Sequence, residues 1–167
     1  TLSLHDALPI YLGNRFAQLE GARAALAARH RVLRVSALYE TAPVGGPPQG
    51  PYLNGAAAVA TGDSPEALLV HLLSIEADFG RERRVRNGPR TLDLDILFFG
   101  TACIDTPTLR IPHPRVFERP FAWVPAREVL SPELAAQVMP RSVRDAPHTL
   151  TVRYWPLAHG RGWDPTG

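Results

Sequence analysis

The sequence has no lysine; all 18 basic residues among its 167 are arginine. That absence excludes the lysine-bearing phosphate loop GxxxxGK, so a nucleotide would have to be held some other way. Cysteine is nearly absent too. Cys103 stands alone, which rules out a disulfide within the chain and makes a reducing cytoplasm the expected setting. No apolar run approaches the roughly 20 residues of a membrane-spanning helix, and no secretory signal pattern opens the chain. The formal net charge is only +2. That is too weak for the broad basic face of a dedicated nucleic-acid binder, although local arginine clusters could grip a nucleotide. What is present, 45% hydrophobic and 20% charged residues, reads as a globular domain long enough to bury a proper core.

Periodicity supplies the elements. "RFAQLEGARAALAARH" (15–30) carries Phe16, Leu19 and Leu26 at helical spacing and predicts a helix packed on a sheet. "VLRVSALYET" (32–41) alternates through Leu33, Val35, Ala37 and Tyr39 and predicts one strand. The breaker-rich "APVGGPPQGP" that follows predicts a loop, and "YLNGAAAVAT" from Tyr52 a further strand. Ser64, Pro65 and Glu66 open a helix with a hydroxyl cap, a proline at the first position and an acid in the first turn. Gly80 is expected to end it. A strand from Thr91 closes the order.

One strand before the first helix would complete β-α-β-β-α-β, the ferredoxin-like order. The residues there, "TLSLHDALPIYLG", do not supply a good one, because Pro9 lacks a ladder donor. Residues 1–10 are therefore expected to be a non-native leader, and the expected fold is an α+β, ferredoxin-like sandwich whose first strand is aberrant. The tail beyond Ser131 offers no motif.

The chemistry concentrates in "RNGPRTLDLDILFFG" (86–100). By the period-2 rule Leu92, Leu94 and Ile96 share one face of the strand, and Asp93 and Asp95 share the other with Leu97 and Phe99. Carboxylates at i and i+2 stand about 7 Å apart and repel by about 2 kcal/mol at an effective dielectric near 20. Something positive should offset that: a divalent cation, or the arginines of "GRERRVRNGPR", namely Arg81, Arg83, Arg84, Arg86 and Arg90. A structural Asp/Arg network at a strand edge accounts for the spacing equally well.

At "GPRTLDLDILFFG" the chain resembles the signature of the 6-hydroxymethyl-7,8-dihydropterin pyrophosphokinase family of folate synthesis. "SALYETAPVGG", "PYLNGAAAV", "IEADFGRERR" and "IPHPRVFERPFAWVPAREV" follow the family's pattern in the family's order. The resemblance covers about residues 11–134 and leaves 135–167 as a tail. It implies transfer of the β,γ-pyrophosphoryl group of ATP to the pterin's hydroxymethyl oxygen, with release of AMP, by a cytoplasmic monomer with long loops over its sheet. No nucleic-acid or membrane partner is implied.

Residue by residue, the resemblance implies that Asp93 and Asp95 hold two Mg²⁺ ions on the triphosphate, a ligand set that suits Mg²⁺. Arg81, Arg83 and Arg90 become phosphate clamps, with His113 and Arg119 closing from the other side. Glu76 becomes a nucleotide or loop contact, and Ile96 a nucleotide contact. Tyr52 and Phe121 match the ring-stacking pair, Asn54 the amide that reads the pterin edge, and Thr41, Pro43 and Val44 the loop that completes recognition. The chain departs from the family's Gly-Ser-Asn turn before "LGNR", and has Asn87 and Pro114 where aromatics are common. Two alternatives stand beside the enzyme. One is a non-catalytic remnant of the family. The other is a ferredoxin-like RNA-binding module, against which the acidic strand face argues because it would repel phosphate without metal.

Overall fold

In the computed structural model the described residues are 2–6, 12–42, 52–79, 92–147 and 150–154, with side chains described for 15–42, 52–79, 92–147 and 150. A strand forms at the start, where a good one was not expected: β1 (Leu2–Asp6) lies ahead of Pro9 and takes a central place in the sheet. Helix α1 (Leu12–Arg29) follows, then β2 (Arg31–Val35), β3 (Leu38–Thr41) and β4 (Tyr52–Ala60). Helix α2 (Pro65–Asp78) and β5 (Asp93–Ile96) complete the first half.

With the late strand β8 (Thr151–Tyr154) the sheet runs β5-β1-β4-β3-β8, with β2 also on β4 and every pairing antiparallel. Helices α1 and α2 cover one face. Leu19, Ala22 and Leu26 of α1 and Leu68, Leu72 and Ile75 of α2 meet Leu38, Leu53, Leu92, Leu94 and Ile96 from the sheet. Each fully buried leucine contributes about 1.5–3 kcal/mol. Ser64 caps α2 as expected, its hydroxyl accepting the Ala67 N–H at 3.2 Å. The cap at the other end of α2 is Phe79, and Gly80 lies outside the described residues. A Cβ on Gly21 of α1 would stand 2.5 Å from Cζ of Phe79, so glycine there lets the end of α2 close on α1.

Two expected strands change shape. The 32–41 strand is two, β2 and β3. Between them Ser36 substitutes its side chain for the ladder: its N–H donates to Ala56 O at 2.9 Å while its hydroxyl accepts the Ala56 N–H at 2.9 Å. The pairing of β2 with β4 also slips between Val32 and Arg34, which leaves Leu33 52% exposed instead of facing in. The strand expected from Thr91 to Phe99 ends at Ile96. Leu97 O then accepts the His113 N–H at 2.9 Å, and Phe99 packs with the α1/α2 core, not beside the aspartates. Gly100 takes a left-handed φ of 54° in the turn that follows.

The other face of the sheet is covered by the helices of the second half of the chain, while Ile104, Leu109 and Ile111 join the α1/α2 core. A two-stranded ribbon, β6 (Ile104–Asp105) with β7 (Arg110–Ile111), leads through a 3₁₀ turn, η1 (Val116–Glu118), into α3 (Pro120–Val129). Trp123, Val124, Ala126 and Leu130 meet Ala37, Tyr39, Leu97 and Phe98 there. The described part of the tail adds α4 (Pro132–Val138), α5 (Arg141–Arg144) and β8, which pairs with β3. Among the described residues no helix is long and apolar enough to cross a membrane.

Candidate functional site

Because Leu92, Leu94 and Ile96 enter the α1/α2 core, Asp93 and Asp95 point to the α3 side. By the same alternation Leu38 and Leu53 send Tyr39, Thr41, Tyr52 and Asn54 to that side as well. Register then sets their spacing. Tyr39 pairs with Asn54 and Thr41 with Tyr52, while position 5 of β1 pairs with both Asn54 and Asp93. Asn54 and Asp93 therefore stand in one lateral row, two strand spacings or about 10 Å apart.

The facing wall is the segment that enters α3. His113 follows a cis Ile111–Pro112 peptide, with its N–H on Leu97 O at 2.9 Å and its Nδ1 accepting the Arg115 N–H at 3.2 Å. Arg119 precedes α3, its guanidinium 5.7 Å from the centroid of the Phe121 ring. A small cavity of about 60 Å³ brings together Asp93, Asp95, Leu97, His113, Arg119, Phe121 and Ala122. A larger one of about 460 Å³ lies between Thr41, Ala42 and Tyr52 on one side and Arg115, Glu118, Arg119, Pro120 and Phe121 on the other. Arg119 and Phe121 line both.

Other expected site residues sit further from the cavities. Asn54 is fully buried, and its amide nitrogen donates to Thr41 Oγ1 at 2.7 Å and to Tyr39 O at 3.4 Å. Glu76, expected as a nucleotide contact, is 1% exposed beneath the sheet. Its Oε1 accepts the Leu94 N–H at 2.8 Å, fixing the backbone between the two aspartates. The Ile96 side chain belongs to the α1/α2 core. Pro43, Val44, Arg81, Arg83 and Arg90 lie outside the described residues.

A tie that sequence reasoning missed joins the two walls. Glu128 of α3 accepts the Ala37 N–H at 2.9 Å and the Tyr39 hydroxyl. Burial first, then the Glu128 carboxylate, holds the Tyr39 phenol well above its ordinary pKa. Arg115 and Glu118, also missed, pair with each other at 3.1 Å on the rim of the larger cavity. No group of three or more His, Cys, Asp or Glu side chains that could hold a metal occurs among the described residues. Two carboxylates on one face, opposite cationic and imidazole side chains, suit a hard cation whose remaining ligands come from water and phosphate, as Mg²⁺ prefers.

The profile of the 7,8-dihydro-6-hydroxymethylpterin-pyrophosphokinase family matches residues 7–131. The chain is 47% identical over 98 residues to the 2-amino-4-hydroxy-6-hydroxymethyldihydropteridine pyrophosphokinase of Bacillus subtilis, covering 59% of this chain and 59% of that one. It is 45% identical over 113 residues to the protein of the same name from a Synechocystis species, covering 66% and 57%. A mitochondrial folate synthesis bifunctional protein of Arabidopsis thaliana is 48% identical over 99 residues, which cover 59% of this chain and 18% of that protein. The chain thus spans about three fifths of the first two relatives.

Proposed function

The chain belongs to the 7,8-dihydro-6-hydroxymethylpterin-pyrophosphokinase family, and from that premise we propose that it transfers the β,γ-pyrophosphoryl group of ATP to the hydroxymethyl oxygen of 6-hydroxymethyl-7,8-dihydropterin, releasing AMP. One observation carries the proposal: the paired carboxylates Asp93 and Asp95 face His113 and Arg119 across a small cavity that shares Phe121 with a larger, aromatic-walled one. The small cavity is the phosphate end and the larger one the pterin end.

Asp93 and Asp95 would hold two Mg²⁺ ions, which supply charge neutralisation on the triphosphate when bound. The chain's own side chains do the rest. Arg119 and His113 bind phosphate oxygens from the α3 side, and Arg81, Arg83 and Arg90 serve as further phosphate clamps. Tyr52 and Phe121 sandwich the pterin ring. Asn54, whose amide nitrogen donates to the Thr41 hydroxyl, reads the ring edge, and Thr41 with the backbone at Pro43 and Val44 completes recognition. No side chain is assigned as a general base, in keeping with phosphoryl transfer that rests on positioning and charge stabilisation. Glu76 acts through β5, and Ile96 contributes to the nucleotide side only by packing.

The sheet order β5-β1-β4-β3 with antiparallel pairings supports a ferredoxin-like core for the β1-to-β5 half. We also infer a cytoplasmic monomer working on two small molecules. The acidic strand face speaks against the RNA-binding alternative. The test is AMP formation from ATP and 6-hydroxymethyl-7,8-dihydropterin with Mg²⁺. AMP that depends on both the pterin and Mg²⁺ supports the enzyme. Its absence, in a chain with a cooperative thermal melt, supports the remnant.

A further inference from the structure

Helix α3 packs chiefly on β4 and also touches β3, with its ends at different tasks. Its N-terminal end carries Phe121 and follows directly on Arg119, both of which line the cavities. Seven residues later, about 10 Å along the helix axis, Glu128 meets the opposite end of β3. There it takes two hydrogens at once, the Ala37 N–H at 2.9 Å and the Tyr39 hydroxyl. Tyr39 is 3% exposed, and the Tyr39 carbonyl accepts from Asn54, which in turn holds the Thr41 hydroxyl. One carboxylate thus joins the helix that carries Phe121 to the strand pair that carries Thr41 and Tyr52.

We propose that Glu128 is a positioning residue for the pterin half of the cleft: its carboxylate sets the tilt of α3 on β3, and so the gap between Phe121 and Tyr52. The proposal rests on the reading of the larger cavity as the pterin end. A tilt of about 10° about the clamped end moves a point 10 Å away by about 2 Å. A flat ring held between two aromatic faces does not tolerate that, and displacements near 1 Å can cost about a hundredfold in a preorganised site.

Apart from Arg119, which stands at the start of α3 and lines both cavities, the nucleotide half has anchors of its own. His113 hangs from Leu97 O, and the Asp93–Asp95 backbone from Glu76. Loss of the Glu128 bonds should therefore weaken pterin binding more than nucleotide binding, whereas a general loss of stability would weaken both alike.

The experiment compares the full chain with Glu128→Ala, Glu128→Gln and Tyr39→Phe. The readouts are equilibrium binding of 6-hydroxymethyl-7,8-dihydropterin with Mg²⁺ and an α,β-methylene ATP analogue present, binding of that analogue alone, and a thermal melt. Glu128→Ala is expected to raise the dihydropterin dissociation constant about tenfold or more and that of the analogue less than threefold. Glu128→Gln, whose amide can still accept the Ala37 N–H and donate to the Tyr39 oxygen, should restore pterin binding to within threefold of the parent. Unchanged pterin affinity in Glu128→Ala overturns the proposal, as does equal weakening of both ligands or a Gln variant as poor as Ala. Should the Ala variant not fold, Tyr39→Phe decides: a pterin constant raised at least threefold with the analogue unchanged supports the proposal, and an unchanged one overturns it. A parent that binds no dihydropterin overturns this proposal and the proposed function together; a parent that binds it while Glu128→Ala binds equally well overturns this one alone.

Discussion

Replacing Glu76 tests whether the aspartate pair depends on a buried carboxylate beneath it. Glu76 is 1% exposed and receives the Leu94 N–H at 2.8 Å. A hydrogen bond to a charged group contributes about 1.5–3 kcal/mol, and an N–H left buried without an acceptor costs about 1–3 kcal/mol. These overlap and do not add. Glu76→Ala should therefore lower unfolding free energy by about 1.5–3 kcal/mol, and Glu76→Gln, which keeps an acceptor oxygen of the same shape, by about 1 kcal/mol. Urea unfolding followed by circular dichroism reads this directly, with the m-value unchanged if only stability moves. For a chain of this size each kcal/mol is about 2–4 °C in Tm. Nucleotide affinity in Glu76→Gln should stay within threefold, because its carbonyl can keep the backbone between Asp93 and Asp95 in place. An Ala variant within 0.5 kcal/mol of the parent, roughly the background of a neutral substitution, would refute the reasoning. A Gln variant that loses nucleotide binding while staying folded would return Glu76 to direct contact with the nucleotide.

Other expectations follow from single contacts. His30 Nε2 and His71 Nδ1 lie 2.8 Å apart between α1 and α2, and His71 is held below the ordinary 6.5 by burial first, then by His30 and Arg29, against the opposite pull of Asp63. The unfolded chain thus takes up a proton first: stability from His71 is complete above about pH 6.5 and declines as pH falls through that value, levelling off below the depressed folded-state pKa. Chemical unfolding from pH 8 to 5 should show the decline, and His71→Gln should flatten it; an unchanged profile would contradict the role given to the pair. Ser64→Ala should cost about 1 kcal/mol by removing the α2 cap, measured by the same unfolding curves, and no loss would mean the cap is not holding the helix end. Phe121→Ala should raise the pterin KM at least tenfold while shifting the ATP KM far less, since the ring is one of the two aromatic faces that sandwich the pterin.

Legibility followed the range of the interaction. Strand β4 and helix α2 were readable because alternation, a hydroxyl cap and a first-position proline are local signals, and the structure keeps them. The same Ser-Pro-Glu signal recurs at Ser131 to Glu133, where Ser131 Oγ accepts the Leu134 N–H at 3.2 Å and opens α4. It was there to be read and was passed over in a Pro- and Arg-rich tail. Helix α3 was hidden by Pro120 and Pro125, although proline is welcome at a first helical position. The break at Ser36 and the outward turn of Leu33 depend on how β2 meets β4, a cross-strand matter that no single strand records. At the site, alternation placed Asp93 and Asp95 on one face, but the opposition of His113, Arg119 and Phe121 was legible only through family resemblance. Glu128, on a residue otherwise exposed, carried no sequence signal at all.

The most direct measurement is the rate of AMP formation from ATP and 6-hydroxymethyl-7,8-dihydropterin across a Mg²⁺ titration, for the parent and for Asp95→Asn. The expected result is pterin- and Mg²⁺-dependent AMP in the parent and a loss of a hundredfold or more in Asp95→Asn, the scale expected when a principal electrostatic group is removed, with an unchanged thermal melt. Activity in Asp95→Asn within a few fold of the parent, at any Mg²⁺ concentration, would contradict the assignment of the carboxylate pair to the phosphate end.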